Sequence, residues 1–508
     1  MDYPRRTPLR PLLAGLALAG LLAPAAQAAP GAQNAGDGKA TKPCRVEGVP
    51  NELQCGSVRR PLDPARPEGT QIEVHYLVVP AMARNKQPDP VLMLAGGPGQ
   101  SAIDVAPLML QRLSRLNNRR DLVFIDQRGT GKSAPLHCAD DSKLPLRDAL
   151  DPVQREHRLD ECRAQLQKLP HGDLAQYTTT IAMQDMEAVR ERLGAPQWNL
   201  VGASYGTRAA LEYLRLFPGK VRRTVIDGVA PPDMVLPAAF STDGQLALDA
   251  MFDACAKDAA GCARQYPKLR EQWRGLLAGL PRPVTVNHPL TGLPEQFTLT
   301  RQALLSSVRA PLYVPAMAAA LPAAIDAAAQ GRLEGLVGLG GALGSGKALR
   351  LAMGMHFSVV CAEDLPRLEA AADKPGADFG DNDAQMYAKA CKTWPRGTVP
   401  AEFYAVPAAP SPVLVLSGGA DPVTPPRHGE RTAKALGAKN PALVQHVVVP
   451  EAGHGVMSVG CMRDVVFRFI DAKTDAAALP LDAACATKIP RPPAFVPVQP
   501  AAASKVSS

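Results

Sequence analysis

Ser204 stands between Gly202 and Gly206 in the stretch Val201-Gly202-Ala203-Ser204-Tyr205-Gly206-Thr207, and this G-x-S-x-G spacing has a mechanical reason. Asn199-Leu200-Val201 reads as the end of a buried strand and Thr207 to Leu214 as the start of a helix, so Ser204 falls on the tight turn between them. Such a turn strains the central residue and demands small neighbours. It leaves the hydroxyl exposed near the positive end of a helix dipole, with the Tyr205 N–H able to meet a developing oxyanion. The chemistry this suits is nucleophilic attack on an acyl carbon. A serine needs a base and an acid to orient that base, and two late stretches offer them. Leu416 is followed by a loop carrying Asp421, and Val449 by Pro450-Glu451-Ala452-Gly453-His454. A single glycine-flanked serine is common, whereas a serine, a carboxylate and an imidazole that each follow a strand form a specific set. The carboxyl ends of parallel strands share one edge of a sheet, so the three can converge there. Ala95-Gly96-Gly97-Pro98-Gly99 follows another strand; Gly97 is the expected second oxyanion donor, with Gly96 close behind.

The elements that must position these residues are short apolar runs alternating with helical patterns, as in a mostly parallel sheet covered on both faces. Strands are expected at 72–79, 91–94, 122–125, 199–201, 221–226, 412–416 and 445–449. A helix over about 181–193 with Thr180 as N-cap precedes the serine turn. From 231 to 409 the rhythm changes to alanine-rich helical sequence punctuated by proline, read as an inserted cap. The core is expected over 44–230 and 410–489, flanked by a flexible leader over 29–43 and a disordered tail over 490–508.

The amino terminus reads as a cleaved secretory signal over residues 1–28. Arg5, Arg6 and Arg10 precede an apolar run ended by Pro24, and Ala26-Gln27-Ala28 supplies the small residues of a cleavage site. Its removal would lower the formal charge from +8 to +6. That mild excess, spread over the chain without a basic run interleaved with aromatics, points to no nucleic-acid partner and no membrane patch. In an oxidising compartment the ten cysteines read as disulfides. The expected bridges join sequential neighbours: Cys44 to Cys55, Cys138 to Cys162, Cys255 to Cys262, Cys361 to Cys391 and Cys461 to Cys485. No C-x-x-C or H-E-x-x-H pattern suggests a metal, and no cofactor is expected.

Other residues compete for these roles. Asp227 also ends a strand and could serve as the acid. His356 and His428 compete as base, but neither follows a late strand. Asp126 and Arg128 fit a loop-pinning role. Gly341 to Lys347 approaches a phosphate-binding loop, yet Ala348 replaces the required hydroxyl residue and no strand precedes it.

Taken together, Gly96-Gly97-Pro98-Gly99, Asp126 to Ser133, Gly202 to Gly206, Asp421-Pro422-Val423-Thr424-Pro425 and Gly453-His454-Gly455 resemble the secreted alpha/beta-hydrolases of the proline iminopeptidase and tripeptidyl aminopeptidase family. The chain order Ser204, Asp421, His454 is that of the alpha/beta-hydrolase triad. The resemblance runs from about Cys44 to Cys485. It implies an alpha/beta-hydrolase fold with a large helical cap inserted after the sixth strand, and removal of residues from peptide substrates with a free N-terminus. Ala95 departs from the His that many members carry before the glycines. The resemblance also implies a cap carboxylate for the substrate's ammonium, for which Glu363 is the expected residue and Asp364 the second. A carboxylesterase on the same triad is the alternative.

Overall fold

The computed structural model describes residues 40–141, 144–342 and 350–496. The signal sequence, most of the leader, the end of the tail from 497 and most of the glycine-rich stretch 341–347 lie outside the described residues.

A nine-stranded sheet organises the chain, and strand burial explains its order. The strands are β1 (Lys42–Cys44), β2 (Leu53–Pro61), β3 (Gln71–Val79), β4 (Val91–Leu94), β5 (Leu122–Ile125), β6 (Trp198–Ala203), β7 (Val221–Asp227), β10 (Val413–Gly418) and β11 (Val444–Val449), with β8 (Arg282–Asn287) and β9 (Pro294–Leu299) forming a separate hairpin. The spatial order is β1-β2-β3-β5-β4-β6-β7-β10-β11. From β5 onward every pairing is parallel, and β1, β2 and β3 form an antiparallel edge. The central strands β4, β5 and β6 are apolar on both faces because helices cover both. Alternate residues split between two cores: Leu92, Leu200, Ile226 and Val415 face one, Met93, Val201, Val225 and Leu416 the other.

Helices of nine or more residues are α1 (Ala102–Leu113), α2 (Pro152–Leu166), α3 (Thr179–Arg192), α4 (Tyr205–Leu216), α5 (Leu236–Lys257), α6 (Leu269–Ala278), α7 (Arg301–Leu312), α8 (Leu321–Ala329), α9 (Met353–Glu363), α10 (Asn382–Ala390), α11 (Pro426–Leu436) and α12 (Met462–Asp471). All seven expected strands are present. Helix α3 starts at Thr179, two residues before the expected start, with Thr178 rather than Thr180 at the N-cap.

Two expectations need correction. The insertion follows the seventh strand rather than the sixth, because β1 and β2 join the five strands read from the sequence ahead of it. It is also divided. Residues 247–336, with Phe379, have their own core around Phe252, Trp273 and Val308, and they include the β8–β9 hairpin. Helix α9 and residues Tyr387, Cys391 and Trp394 instead join the sheet's core beside Tyr213 and Trp198. The tail is held as far as described: Arg491 pairs with Glu451 at 2.6 Å, and the Phe495 N–H donates to the Ala319 carbonyl at 2.8 Å.

All five expected disulfides are formed. Cys361–Cys391 ties α9 to the end of α10 across 30 residues, whereas Cys255–Cys262 closes only 7. By loop-closure entropy the first is expected to stabilise by about 3.5 kcal/mol and the second by about 2.5 kcal/mol. Paired Cys→Ser substitutions followed by thermal melts should therefore lower Tm more for 361/391 than for 255/262; the reverse order would count against that ranking.

Candidate active site

The turn at Ser204 is built by the two glycines. A Cβ on Gly202 would lie 2.4 Å from the Gly206 carbonyl oxygen, and one on Gly206 would lie 2.2 Å from that of Leu94. Neither position has room for a side chain. Ser204 takes φ +56° and ψ −125°, and among the described residues only Ala134 is another non-glycine at positive φ. Such a conformation costs on the order of 1–3 kcal/mol and persists where its surroundings hold it. Here the Ser204 N–H donates to the Asp227 carbonyl at 2.9 Å, and the Thr207 hydroxyl donates to the Ser204 carbonyl at 2.6 Å.

His454 arrives on the loop after β11. Its amide donates to the Tyr313 carbonyl at 2.9 Å, and the Tyr313 ring stands edge-on to the imidazole, with centroids 5.2 Å apart. Nδ1–H donates to Asp421 Oδ2 at 2.8 Å. The Thr424 hydroxyl donates to the same oxygen at 2.7 Å and lies 3.0 Å from Nδ1. Asp421 Oδ1 accepts the Val423 and Thr424 amides, both at 2.9 Å. Burial pushes the Asp421 carboxyl toward a higher pKa, but the His454 charge and hydrogen bond, with Thr424, outweigh it and hold it below the ordinary carboxylate value. His454 moves the complementary way: burial lowers its pKa, and the Asp421 charge and hydrogen bond, with the more distant Asp227, leave it raised.

Strand β7 brings His454 to the serine. Ala203 and Asp227 are register partners, so Ser204 lies beside Gly228. A Cβ on Gly228 would sit 3.2 Å from His454 Cε1. Only a glycine lets the ring come so close to the turn. No hydrogen bond joins Ser204 Oγ to His454 among the described residues, and in free enzymes this bond is commonly long until substrate tightens it.

The candidate oxyanion donors are distinguished by their partners. The Gly96 amide already donates to Gln100 Oε1 at 3.1 Å, which leaves Gly97 as the better donor of the two. Tyr205 is the first residue of α4, where the helix itself offers the amide no acceptor. Its ring is fixed by Gln127 Nε2 at 3.0 Å and Thr179 Oγ1 at 2.6 Å from the hydroxyl.

Glu363 and Asp364 are not where amine recognition requires them. Both are 1% exposed and locked onto Arg208 of α4. Arg208 Nη1 donates to Glu363 Oε2 at 3.4 Å and Asp364 Oδ2 at 3.1 Å, and Nη2 to Asp364 Oδ1 at 3.1 Å. Glu363 Oε1 also accepts the Thr179 amide, and Asp364 Oδ1 that of Leu236. Burial raises the Glu363 carboxyl to about 7 against the lowering influence of Arg208. A sealed cluster with its oxygens engaged cannot take up an ammonium, so these residues brace the turn's helix instead.

The rival residues are likewise structural. His428 Nε2 pairs with buried Asp243 at 2.8 Å. Asp126 accepts from the Ser101 hydroxyl and the Ile103 and Lys132 amides, and Arg128 forks onto Asp185. Asp227 binds the Val456 and Met457 amides through its carboxylate, and burial raises its pKa to about 6.

Sequence reasoning missed Thr424, Tyr313 and the Arg309–Asp383 pair. The first carried a readable signal, since a hydroxyl three residues after Asp421 can close a turn on its carboxylate. The others carried none, because α7 and α10 meet only in the folded chain. Asp383 lies within electrostatic reach of Tyr313, as does Asp421. A cavity of about 360 Å³ lies behind the His454 loop, between α5, Leu312, Pro315, Ala420, Glu451 and Arg491. Its lining includes neither Ser204 nor His454.

Residues 89–260 match a family model described as alpha/beta hydrolase fold, and residues 376–484 one described as TAP-like protein. The chain is 30% identical to a tripeptidyl aminopeptidase of Streptomyces lividans over 201 residues, 36% of either chain. It is 30% identical to the serine protease Hip1 of Mycobacterium tuberculosis over 207 residues, 38% of this chain and 39% of that protein. These alignments span little more than a third of either relative. Carboxylesterase B of Mycobacterium tuberculosis aligns at 28% identity over 429 residues, 76% of this chain and 78% of the relative.

Replacing Glu363 by Gln should leave the ratio of free-amine peptide to ester turnover unchanged. Replacing it by Ala, which strips Arg208 of one partner, should cost about 1–3 kcal/mol in denaturant unfolding. A selective loss of free-amine substrates in the Gln variant would restore Glu363 as a recognition residue.

Proposed function

We propose, from the premise that this chain is an alpha/beta hydrolase with a TAP-like carboxy-terminal part, that it is an exported serine hydrolase releasing short N-terminal pieces from peptides. The observation that carries the reading is the Asp421–His454 pair set beside a serine at positive φ. His454 Nε2 takes the proton of Ser204 as its oxygen attacks the acyl carbon. Asp421 holds the imidazole tautomer and stabilises its charge. The Tyr205 and Gly97 amides receive the oxyanion, each such donor contributing roughly 3 kcal/mol. The imidazolium returns the proton to the leaving amine, and water, activated by the same base, frees the acyl group from Ser204. The five disulfides suit an oxidising compartment, and among the described residues no helix is long and apolar enough to cross a membrane.

Recognition of a free amine needs a partly buried carboxylate on the cap side of the site. With Glu363 and Asp364 engaged elsewhere, Asp383 is the candidate: it is paired with Arg309 yet remains 16% exposed, close to the Tyr313 that packs on His454. The second reading, a carboxylesterase, is favoured by the longer alignment with carboxylesterase B.

Turnover of a free-amine tripeptide anilide, its N-blocked twin and a p-nitrophenyl ester separates the readings. The first reading expects the free-amine peptide to be preferred and Ser204→Ala to abolish all three activities; preference for the blocked peptide or the ester would refute it. Asp383→Asn should depress the free-amine substrate selectively, and equal loss on the ester would remove Asp383 from recognition. Because the base works only when neutral and its pKa is raised, kcat/KM should climb through an apparent pKa above the ordinary histidine value and level off on the alkaline side. An acid limb below that value would contradict the Asp421–His454 coupling.

A further inference from the structure

The loop that carries Gly97 is tied at its base, where the Gly96 amide donates to Gln100 Oε1 at 3.1 Å and the Gln100 amide to the Gly96 carbonyl at 3.3 Å, but the residues between are glycine and proline. Gly97 and Gly99 both take φ +111°, a region open to glycine and strained for other residues. Neither has a side chain to pack. Beyond the ties at its base, the loop is gripped by a segment some 250 residues away. Gln100 forms an antiparallel bridge with Leu351, and the Ala352 amide donates to the Gly99 carbonyl at 2.9 Å. His356 Nδ1 lies 3.1 Å from the Pro98 carbonyl oxygen.

That last contact fixes the state of His356. A carbonyl can only accept, so Nδ1 carries the proton. Nε2 then accepts from the Tyr387 hydroxyl at 2.7 Å. Both ring nitrogens are used, the ring is 4% exposed, and Phe357 packs edge-on at 5.5 Å. Burial holds the imidazole below its ordinary pKa, in keeping with the neutral tautomer. A buried, doubly bonded histidine has no freedom to act as a base, but it is well placed to set the orientation of a peptide plane.

We infer that His356 is a positioning residue for the reaction: by holding the Pro98 carbonyl, it keeps the 96–100 loop in the register that directs the Gly97 amide at the oxyanion. This rests on the serine-hydrolase reading proposed above. The Pro98 and Gly99 carbonyls are pinned from α9 and the residue before it, so the peptide planes just after Gly97 cannot turn. Tyr387 on α10 carries the support back into the core that Cys361–Cys391 ties together.

The side-chain amide of Asn falls near the position of Nδ1, and that of Gln near Nε2, so the two variants divide the histidine's bonds. His356→Gln keeps the Tyr387 contact and releases Pro98; His356→Asn keeps the Pro98 contact and releases Tyr387. The readouts are kcat and KM for the best substrate, the rate at which a fluorophosphonate labels Ser204, and Tm. His356→Gln is expected to lose roughly 10- to 100-fold in kcat and in labelling rate, less than deletion of an oxyanion donor, with KM nearly unchanged. His356→Asn is expected to recover most of that loss even if its Tm is the lower of the two. Equal losses in both variants, or losses that follow Tm, would overturn the inference. If His356→Gln does not fold, Gly99→Ala tests the neighbouring tie, since its Cβ would sit 3.0 Å from the Ala352 carbonyl oxygen. It should show the same kcat-selective loss, and wild-type kcat there would overturn the inference. Wild-type protein that fails to label at Ser204 removes the serine-hydrolase reading and this inference with it. Normal labelling of both wild type and His356→Gln removes this inference alone.

Discussion

A serine held at φ +56° is the constraint on which the rest of the site depends. Left to itself the backbone would relax out of so costly a conformation. What prevents this is the end of β7. The Asp227 carbonyl takes the Ser204 amide, and the Asp227 carboxylate takes the Val456 and Met457 amides, just past His454. Gly228, the next residue, is bare so that the imidazole can close in. One strand end therefore sets Ser204 and His454 at a fixed separation. The raised pKa of Asp227, brought about by burial, is the electrostatic cost of using a carboxylate as that clamp.

The same economy explains the buried charges around α4. Arg208 is fully buried one turn past Ser204, and a lone guanidinium there would be untenable. Glu363 and Asp364 supply opposite charge, and the Met234 carbonyl takes a further N–H at 2.9 Å. Burial is the main influence that raises the Glu363 carboxyl to about 7, against the lowering pull of Arg208 and the Thr179 amide, with the neighbouring Asp364 charge adding a smaller rise. A cluster of this kind fixes the direction of a helix. It has no capacity left to bind a ligand.

These contacts also mark where the sequence stops being informative. The turn at Ser204, the order of Asp421 and His454 and seven apolar strands were legible because each is a local pattern: a glycine spacing, a strand end, an apolar run. The disulfides were legible because their partners are neighbours in the chain. Strand β2, paired between β1 and β3, was not, because Gln54, Ser57, Arg59 and Arg60 make it look like loop, and its register partner Tyr76 fills the space that a side chain on Gly56 would take. Glu363 was misread for a deeper reason. An acidic pair at the end of a helix looks the same in sequence whether it faces a cleft or an arginine 155 residues away. The choice between Gly96 and Gly97 turned on the side chain of Gln100, which no backbone pattern reveals.

The division of the insertion gives these observations a common logic. Residues 247–336, around Trp273, form a body with its own core. Helix α9 is different, since it packs in the core of the sheet and touches the site's framework at both ends. At its start, Ala352 and His356 hold the loop of Gly97; at its finish, Glu363 and Asp364 hold the helix that begins with Tyr205. The two amides proposed to bind the oxyanion come from strands β4 and β6, yet one inserted helix braces both. Their spacing is then set by a rigid rod of 11 residues rather than by two independent loops. An oxyanion site gains its effect from donors that need not reorganise during the reaction, and a single brace across both donors is a direct way to obtain that. The insertion thus contributes, through α9, to the framework that holds both proposed donors.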